Sequence, residues 1–187
     1  MPHQEHRFSY DASVRRKLQN PEQILQSIGL RDGMCFVDIG CNDGFFTLPA
    51  ARLVGEKGKI VAIDIDAEAL QRLQEKLSKE KINNTEIIQQ PAEDVVACQH
   101  CADIIFFGTV LHDFNDPLQV LRNSKLMLKP DGIIYDYDWI KQDSPLGPPL
   151  AKRFSQDYAE QIVGQAGLKV AESTLIDDHF YAMTIVN

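Results

Sequence analysis

Along almost its whole length the chain alternates short apolar runs with stretches of helical periodicity, and few folds can absorb that rhythm. "MCFVDIG" (34–40), "GKIVAIDID" (58–66), "TEIIQQ" (85–90), "ADIIFFG" (102–108) and "DGIIYDYDW" (131–139) read as strands. The near-continuous apolarity of the first is what a strand buried on both faces requires. Residues 45–55, 66–81, 116–128 and 155–167 read as helices. In "DAEALQRLQEKLSKEK", Asp66 can cap the helix while Leu70, Leu73 and Leu77 mark one face. Pro117 suits the first position of the third helix, Pro49 falls in the first turns of the first, and Gly55 and Gly167 stand at helix ends. Such alternation predicts an α/β, Rossmann-like doubly wound sheet with helices on both faces. "LKVAESTLI" (168–176) and "HFYAMTIV" (179–186) read as a closing hairpin, which puts one antiparallel strand into an otherwise parallel seven-stranded sheet. Residues 21–187 are expected to form one domain with a continuous core, with 1–20 as an arm or extra helix joined at Pro21.

A formal charge of −8 argues against nucleic acid or an anionic membrane as the main partner, since both need a basic footprint. Arg15, Arg16 and Lys17 are a local exception and read as a solvated helix face. The longest apolar region, 102–111, falls short of the roughly 18–20 residues of a membrane span. "MPHQEHRFSYDA" lacks an apolar signal core, so a cytoplasmic location is expected. Cys98 and Cys101 form C-x-x-C around His100, but no second pair completes a four-ligand zinc site, and His3 and His6 stand far off at the terminus. No metal is expected, and the pair reads as incidental; Cys35, in an apolar strand, is expected to be buried.

The loop after the first strand raises the question of ligand. "VDIGCNDGFFT" (37–47) opens like a dinucleotide fingerprint, yet G-x-G-x-x-G would need glycine at 40, 42 and 45, where the chain has Gly40, Asn42 and Phe45. Gly40 and Gly44 can bring the backbone close to a ligand, and Asn42 is the non-glycine residue that best tolerates positive φ. Asp64 closes the second strand about twenty residues past Gly44, where a carboxylate can accept both hydroxyls of a ribose. The ligand therefore contains adenosine. Asp38 beneath the loop is unfavourable to a phosphate and favourable to a cationic or zwitterionic group.

These residues resemble the class I S-adenosylmethionine-dependent methyltransferases. "VDIGCNDGFF" is similar to their first motif, [DE]-x-G-x-G-x-G, with Asp38, Gly40 and Gly44 matching and Asn42 at the middle glycine. "IVAIDID", "ADIIFFGTVLHDFNDP" and "LMLKPDGIIYDYDW" resemble the segments of strands two, four and five, so the likeness spans about residues 20–187. It looks closest to the ubiquinone/menaquinone C-methyltransferase-like group. The resemblance implies the seven-stranded methyltransferase fold and S-adenosylmethionine as cofactor, with S-adenosylhomocysteine as product. It implies cofactor contacts at Asp38, Gly40, Cys41, Asn42, Gly44, Asp64 and Ile65, and at Gly108 and Thr109 where strand four ends. Pro91 replaces an acid that commonly meets the adenine amino group, so adenine recognition passes to the backbone around Ala92 and Glu93. Asp43 and Phe45 either cap the helix or touch the cofactor through their backbone. Small members of the class often take a lid from an N-terminal segment, and Arg15 or, as preferred here, Arg16 would then meet the methionine carboxylate.

Methyl transfer needs a base only when the nucleophile must lose a proton. The candidates are His112 and Asp113 after the fourth strand and Asp136 and Asp138 in the fifth, where alternation puts the two acids on one face and Tyr135 and Tyr137 on the other. His112 is either a base or a loop brace, and each acid a substrate contact or a turn cap. With Trp139 and His179 these residues are expected to form an acid-rich rim, suited to a small neutral or cationic acceptor. "SPLGPPLAKRF" (144–154), stiffened by three prolines, reads as a wall of the acceptor site. Two readings from other classes stay open at this point: a regulatory module that binds the cofactor without turnover, and a nicotinamide-dependent oxidoreductase. The latter is disfavoured by the missing glycine and the lack of a second domain. The protein is expected to be a monomer or a homodimer.

Overall fold

The computed structural model describes residues 12–187. His3, His6 and most of the N-terminal arm lie outside the described residues. Elements run α1 (Ala12–Leu18), α2 (Pro21–Ser27), β1 (Cys35–Ile39), α3 (Thr47–Val54), β2 (Lys59–Asp64), α4 (Ala67–Glu80) and β3 (Thr85–Gln89). The chain continues through β4 (Ala102–Gly108), α5 (Pro117–Met127), β5 (Leu128–Trp139), α6 (Gln156–Gln165), β6 (Lys169–Leu175) and β7 (Phe180–Val186). Single 3-10 turns at Ala92–Asp94 and Leu111–Asp113 flank β4.

The strands form one seven-stranded sheet in the order β3-β2-β1-β4-β5-β7-β6. Pairings from β3 through β5 are parallel, and β7 runs antiparallel to both β5 and β6. Strand order therefore reverses between β1 and β4, where a ligand crevice opens at the C-terminal strand ends.

Each face has its own core. On one, Leu25 of α2 and Ala50, Ala51 and Val54 of α3 bury Phe36, Ile60, Phe106 and Tyr137. Beside them Leu70, Leu73 and Leu77 of α4 cover Ala62. On the other, Val120 and Leu121 of α5 and Ile162 and Val163 of α6 cover Val37, Ile63, Phe107 and Ile134. The helix ends follow their local chemistry. Asp66 accepts from the N–H groups of Glu68 and Ala69, Asp116 from Gln119, and Ser155 from Tyr158.

Three details differ from the sequence reading. Helix α3 starts at Thr47 rather than 45, because positive φ at Asn42 and Gly44 keeps the chain in turns that long. Strand β5 starts at Leu128 rather than at 131, so Pro130 lies inside it; Ala102 pairs with Leu128, and a register shift before Ile104 accommodates the proline. Cys35 is only half-buried, because it opens β1 at the sheet's end.

Candidate functional site

Four strand ends meet at the switch point, and the β1–α3 turn forms the floor. Gly40 and Gly44 have φ of 76° and 90°, and Asn42 takes 49°, as its place in the loop predicts. A side chain on Gly40 would overlap Val110, and one on Gly44 would overlap Leu73. The turn is stitched to β2 by N–H bonds from Gly40 (2.8 Å) and Cys41 (3.1 Å) to the Ile63 carbonyl. Asn42 Oδ1 accepts from Asp43 N at 2.7 Å. From α4, Lys76 Nζ donates to the Asp43 carbonyl (2.8 Å) and carboxylate (2.7 Å).

Asp64 is tied into the same unit. Its Oδ2 accepts from Asn42 N at 2.8 Å and its Oδ1 from Asp66 N at 3.0 Å, so one carboxylate joins the glycine turn to the start of α4. Beside it Ile65 stands 59% exposed, a large apolar side chain at the ribose acid's shoulder.

Asp38 lies under the turn, 2% exposed, with Thr47 Oγ1 donating to its Oδ2 at 2.6 Å. Burial pushes its carboxyl up to about 7; the Thr47 hydrogen bond and the Arg15 charge pull it down, and Asp64 pushes it up. Arg15 sets its guanidinium 4.1 Å from the Phe45 ring centroid and donates to Gln19 Oε1 at 3.1 Å. Arg16, the residue preferred from sequence, is exposed and pairs with Glu22 at 3.6 Å.

The 3-10 turn bearing Ala92 and Glu93 is held from α5. Asn123 Nδ2 donates to both carbonyls (3.1 and 2.7 Å), and Glu93 Oε1 accepts from Asn115 N at 3.0 Å. At the end of β4 the rings of Phe46 and Phe106 close on Gly108. Thr109 has φ of 60° and donates its N–H to the Tyr137 carbonyl at 2.7 Å.

His112 and Asp138 meet across the β4 and β5 ends. Nδ1 lies 2.8 Å from each oxygen of Asp138, which also accepts from Trp139 N at 2.7 Å. Burial pulls the imidazole down, but the Asp138 charge and hydrogen bonds, with Asp113 adding, raise it overall above 6.5. Nε2 points toward Asp113 at 3.7 Å, and Asp113 in turn lies 3.9 Å from Lys152. Asp136 shares Asp138's face, as alternation predicts, but it is fully buried. Tyr181 OH donates to its Oδ2 at 3.3 Å while Oδ1 has no partner. Burial first and Asp138 second raise Asp136 well above the usual carboxylate range, which suits a neutral acid.

The expected acid-rich rim is therefore corrected. Asp136, Asp138, His112 and Trp139 are all buried; only Asp113 and His179 approach the surface. Trp139 is on the opposite face, packed on Phe180 with ring centroids 4.3 Å apart and planes tilted by 46°, and covered by Gly147 and Arg153. Arg153 had no signal in the sequence. Its buried guanidinium donates to the carbonyls of Ile140, Gln142, Leu146 and Pro148, fixing the path of the proline-rich wall. Asn123, Thr47 and Val110 were also unmarked, since each acts through contacts distant in sequence. Two surface cavities, of about 160 Å³ along Tyr135, Glu172 and Thr184 and about 350 Å³ near Lys59 and Asn84, touch none of these residues. The crevice is located by its backbone geometry and not by cavity volume. The C-x-x-C pair, read as incidental, is joined as a disulfide between Cys98 and Cys101. No group of three or more His, Cys, Asp or Glu able to hold a metal occurs among the described residues.

Residues 30–174 match the family described as methyltransferase domain. The ubiquinone/menaquinone biosynthesis C-methyltransferase UbiE of Escherichia coli O1:K1 is 31% identical over 144 residues, 76% of this chain and 56% of the relative. The chain thus spans little more than half the length of that curated relative. A crystal structure of a SAM dependent methyltransferase from Aquifex aeolicus superposes with a TM-score of 0.86 at 28% identity, covering 95% of this chain and 98% of that one.

Proposed function

The chain belongs to the S-adenosylmethionine-dependent methyltransferases, and on that premise we propose that it methylates a small-molecule acceptor held between the ends of β4 and β5. The observation that carries this is the joining of two strand ends through one carboxylate: Asp64 binds Asn42 N of the glycine turn and Asp66 N of α4. The residues fit the cofactor. Gly40 and Gly44, at positive φ and packed against Val110 and Leu73, hold the turn in a form no side chain would allow, Asp64 stands at the end of β2 where a ribose would lie, and Ile65 supplies an apolar surface for adenine. The turn at Ala92 and Glu93 would border the adenine edge, with Gly108 and Thr109 completing the crevice. Cys41 and Phe45 line the turn, and Asp38 favours the cofactor's positive charge.

For the methionine carboxylate we favour Arg15 over Arg16, because Arg15 reaches over Phe45 and its charge is felt at Asp38. The segment 1–20 would then cover the site. When bound, the cofactor supplies an electrophilic methyl carbon. The protein's task is orientation, plus removal of a proton where the acceptor carries one. His112 takes that proton at Nε2 while Asp138, bonded at Nδ1, steadies the imidazolium. Asp113 reaches the same nitrogen from the solvent side. Asp136 stays a neutral acid behind them.

A charge of −8 favours a neutral or cationic acceptor over nucleic acid, and we place the protein in the cytoplasm, as a monomer or homodimer. No helix among the described residues is long and apolar enough to cross a membrane. The test is a screen of small metabolites with radiolabelled cofactor, His112→Ala beside the wild type. Nucleic acid as best acceptor would overturn the acceptor class, and equal rates for the two proteins would make His112 a brace. Cofactor binding with no turnover on any acceptor would favour a regulatory module.

A further inference from the structure

We propose that the Cys98–Cys101 disulfide is an exchangeable redox site, open to small thiols and separate from the cofactor crevice. Three observations support exchange over a purely structural bond. The bridge closes a loop with a sequence separation of 3, and loop-closure stabilisation grows with loop length, so this one constrains the unfolded chain little. The loop it spans is already pinned without it. His100 N donates to Leu126 O (3.0 Å), Cys101 N to Met127 O (2.9 Å) and Ala97 N to Met127 Sδ (3.3 Å), so opening the bridge leaves those ties to α5 in place. Both cysteines are also partly exposed, with Gln99 and His100 between them in solvent.

His100 holds the loop between the two cysteines, its Nδ1 lying 3.1 Å from the Leu128 carbonyl. A thiolate is the form that attacks and leaves in exchange. No other thiol competes: Cys41 is buried, and burial followed by the Asp103 charge raises Cys35, which disfavours its thiolate.

In the reaction, the thiolate of a small thiol of the glutathione class attacks one sulfur, forming a mixed disulfide and releasing the other cysteine as thiolate. A second thiol attacks the mixed disulfide and leaves as the small-molecule disulfide. Two electrons pass to the protein, two protons end on Cys98 and Cys101, and two small thiols become one disulfide. The site lies before the N-terminal end of β4, whose seven residues at about 3.3 Å each put roughly 20 Å between it and Gly108. It is therefore independent of methyl transfer.

The full chain, equilibrated in mixtures of reduced and oxidised glutathione, is trapped with a maleimide and its labelled cysteines are mapped by mass spectrometry. Cys98 and Cys101 are expected to become labelled together as the reduced form rises, without unfolding by circular dichroism. Cys98→Ser should leave no such pair. Labelling of both in oxidised glutathione alone, or resistance of the bridge to excess thiol until the protein is denatured, overturns the proposal. S-adenosylhomocysteine affinity should be the same in the oxidised and reduced forms, and a difference between them overturns the independence claimed here.

Discussion

Replacing Asp38 by asparagine is expected to make the protein more stable at alkaline pH and a poorer binder of its cofactor. The buried carboxyl has a pKa raised from 3.8 to about 7. Between those values the unfolded chain has lost this proton while the folded chain holds it, so the unfolded state binds fewer protons and stability falls as pH rises. From 3.8 to about 7, at about 1.4 kcal/mol per pH unit, the loss is on the order of 4 kcal/mol. It is complete once pH exceeds the folded value and absent below the unfolded one. Asparagine keeps an oxygen to accept the Thr47 hydroxyl and does not titrate, so the variant should escape most of that loss. Urea unfolding of both proteins at about pH 4 and about pH 8 measures it: the stability difference should favour the variant by a few kcal/mol at the higher pH and shrink toward zero at the lower. The same substitution removes the anion under the glycine turn, so the sulfonium cofactor should lose more affinity than its neutral product. A variant equally or less stable at both pH values would refute the argument that Asp38 is held charged at a cost to the fold for the sake of a cationic ligand.

The remaining expectations concern the other strand ends. Asp64→Ala should weaken S-adenosylhomocysteine binding by about 1–3 kcal/mol, since it removes a charged acceptor and leaves two backbone N–H groups unpaired; calorimetric titration reads it, with NAD showing no binding. Where the acceptor must lose a proton, turnover should rise with pH through a value above 6.5, the raised titration of His112, and Asp138→Asn should move that limb down; a pH–rate profile checks both. By the same shift, the His112–Asp138 contribution to stability is fully present below about 6.5 and fades as pH rises through the folded value. Arg153→Met should release the wall and the residues leading into it by leaving the carbonyls of Gln142, Leu146 and Pro148 without their donor, seen as faster amide hydrogen exchange there and about 2 kcal/mol or more of lost stability.

What could be read from the sequence was local. Helix α4 announces itself because its Asp66 cap and its Leu70, Leu73 and Leu77 face all lie within one short window. The glycine turn and Asp64 are legible because their spacing follows from a strand, a turn and a helix in succession. Helix α2 is not, since seven residues show too little periodicity, and its place depends on the Asn20 cap and on Leu25 packing under α3. The site's polar pairs stayed hidden for a different reason. His112 and Asp138 are 26 residues apart, and only the β4–β5 pairing brings them together. Alternation correctly put Asp136 and Asp138 on one face but could not say that this face is covered by α5 and α6. An expected rim therefore became a buried network.

Arg153 has a consequence for how acceptor preference can change. Every bond from its guanidinium to the wall goes to a main-chain carbonyl, and none goes to a side chain. The wall's route is thus written into the backbone, while the side chains it displays at Lys141, Gln142, Asp143 and Leu150 are free of that duty and stand in solvent. A loop built this way separates its architecture from its vocabulary. New side chains can be tried along it by mutation, in nature or at the bench, without the scaffold having to be reinvented each time.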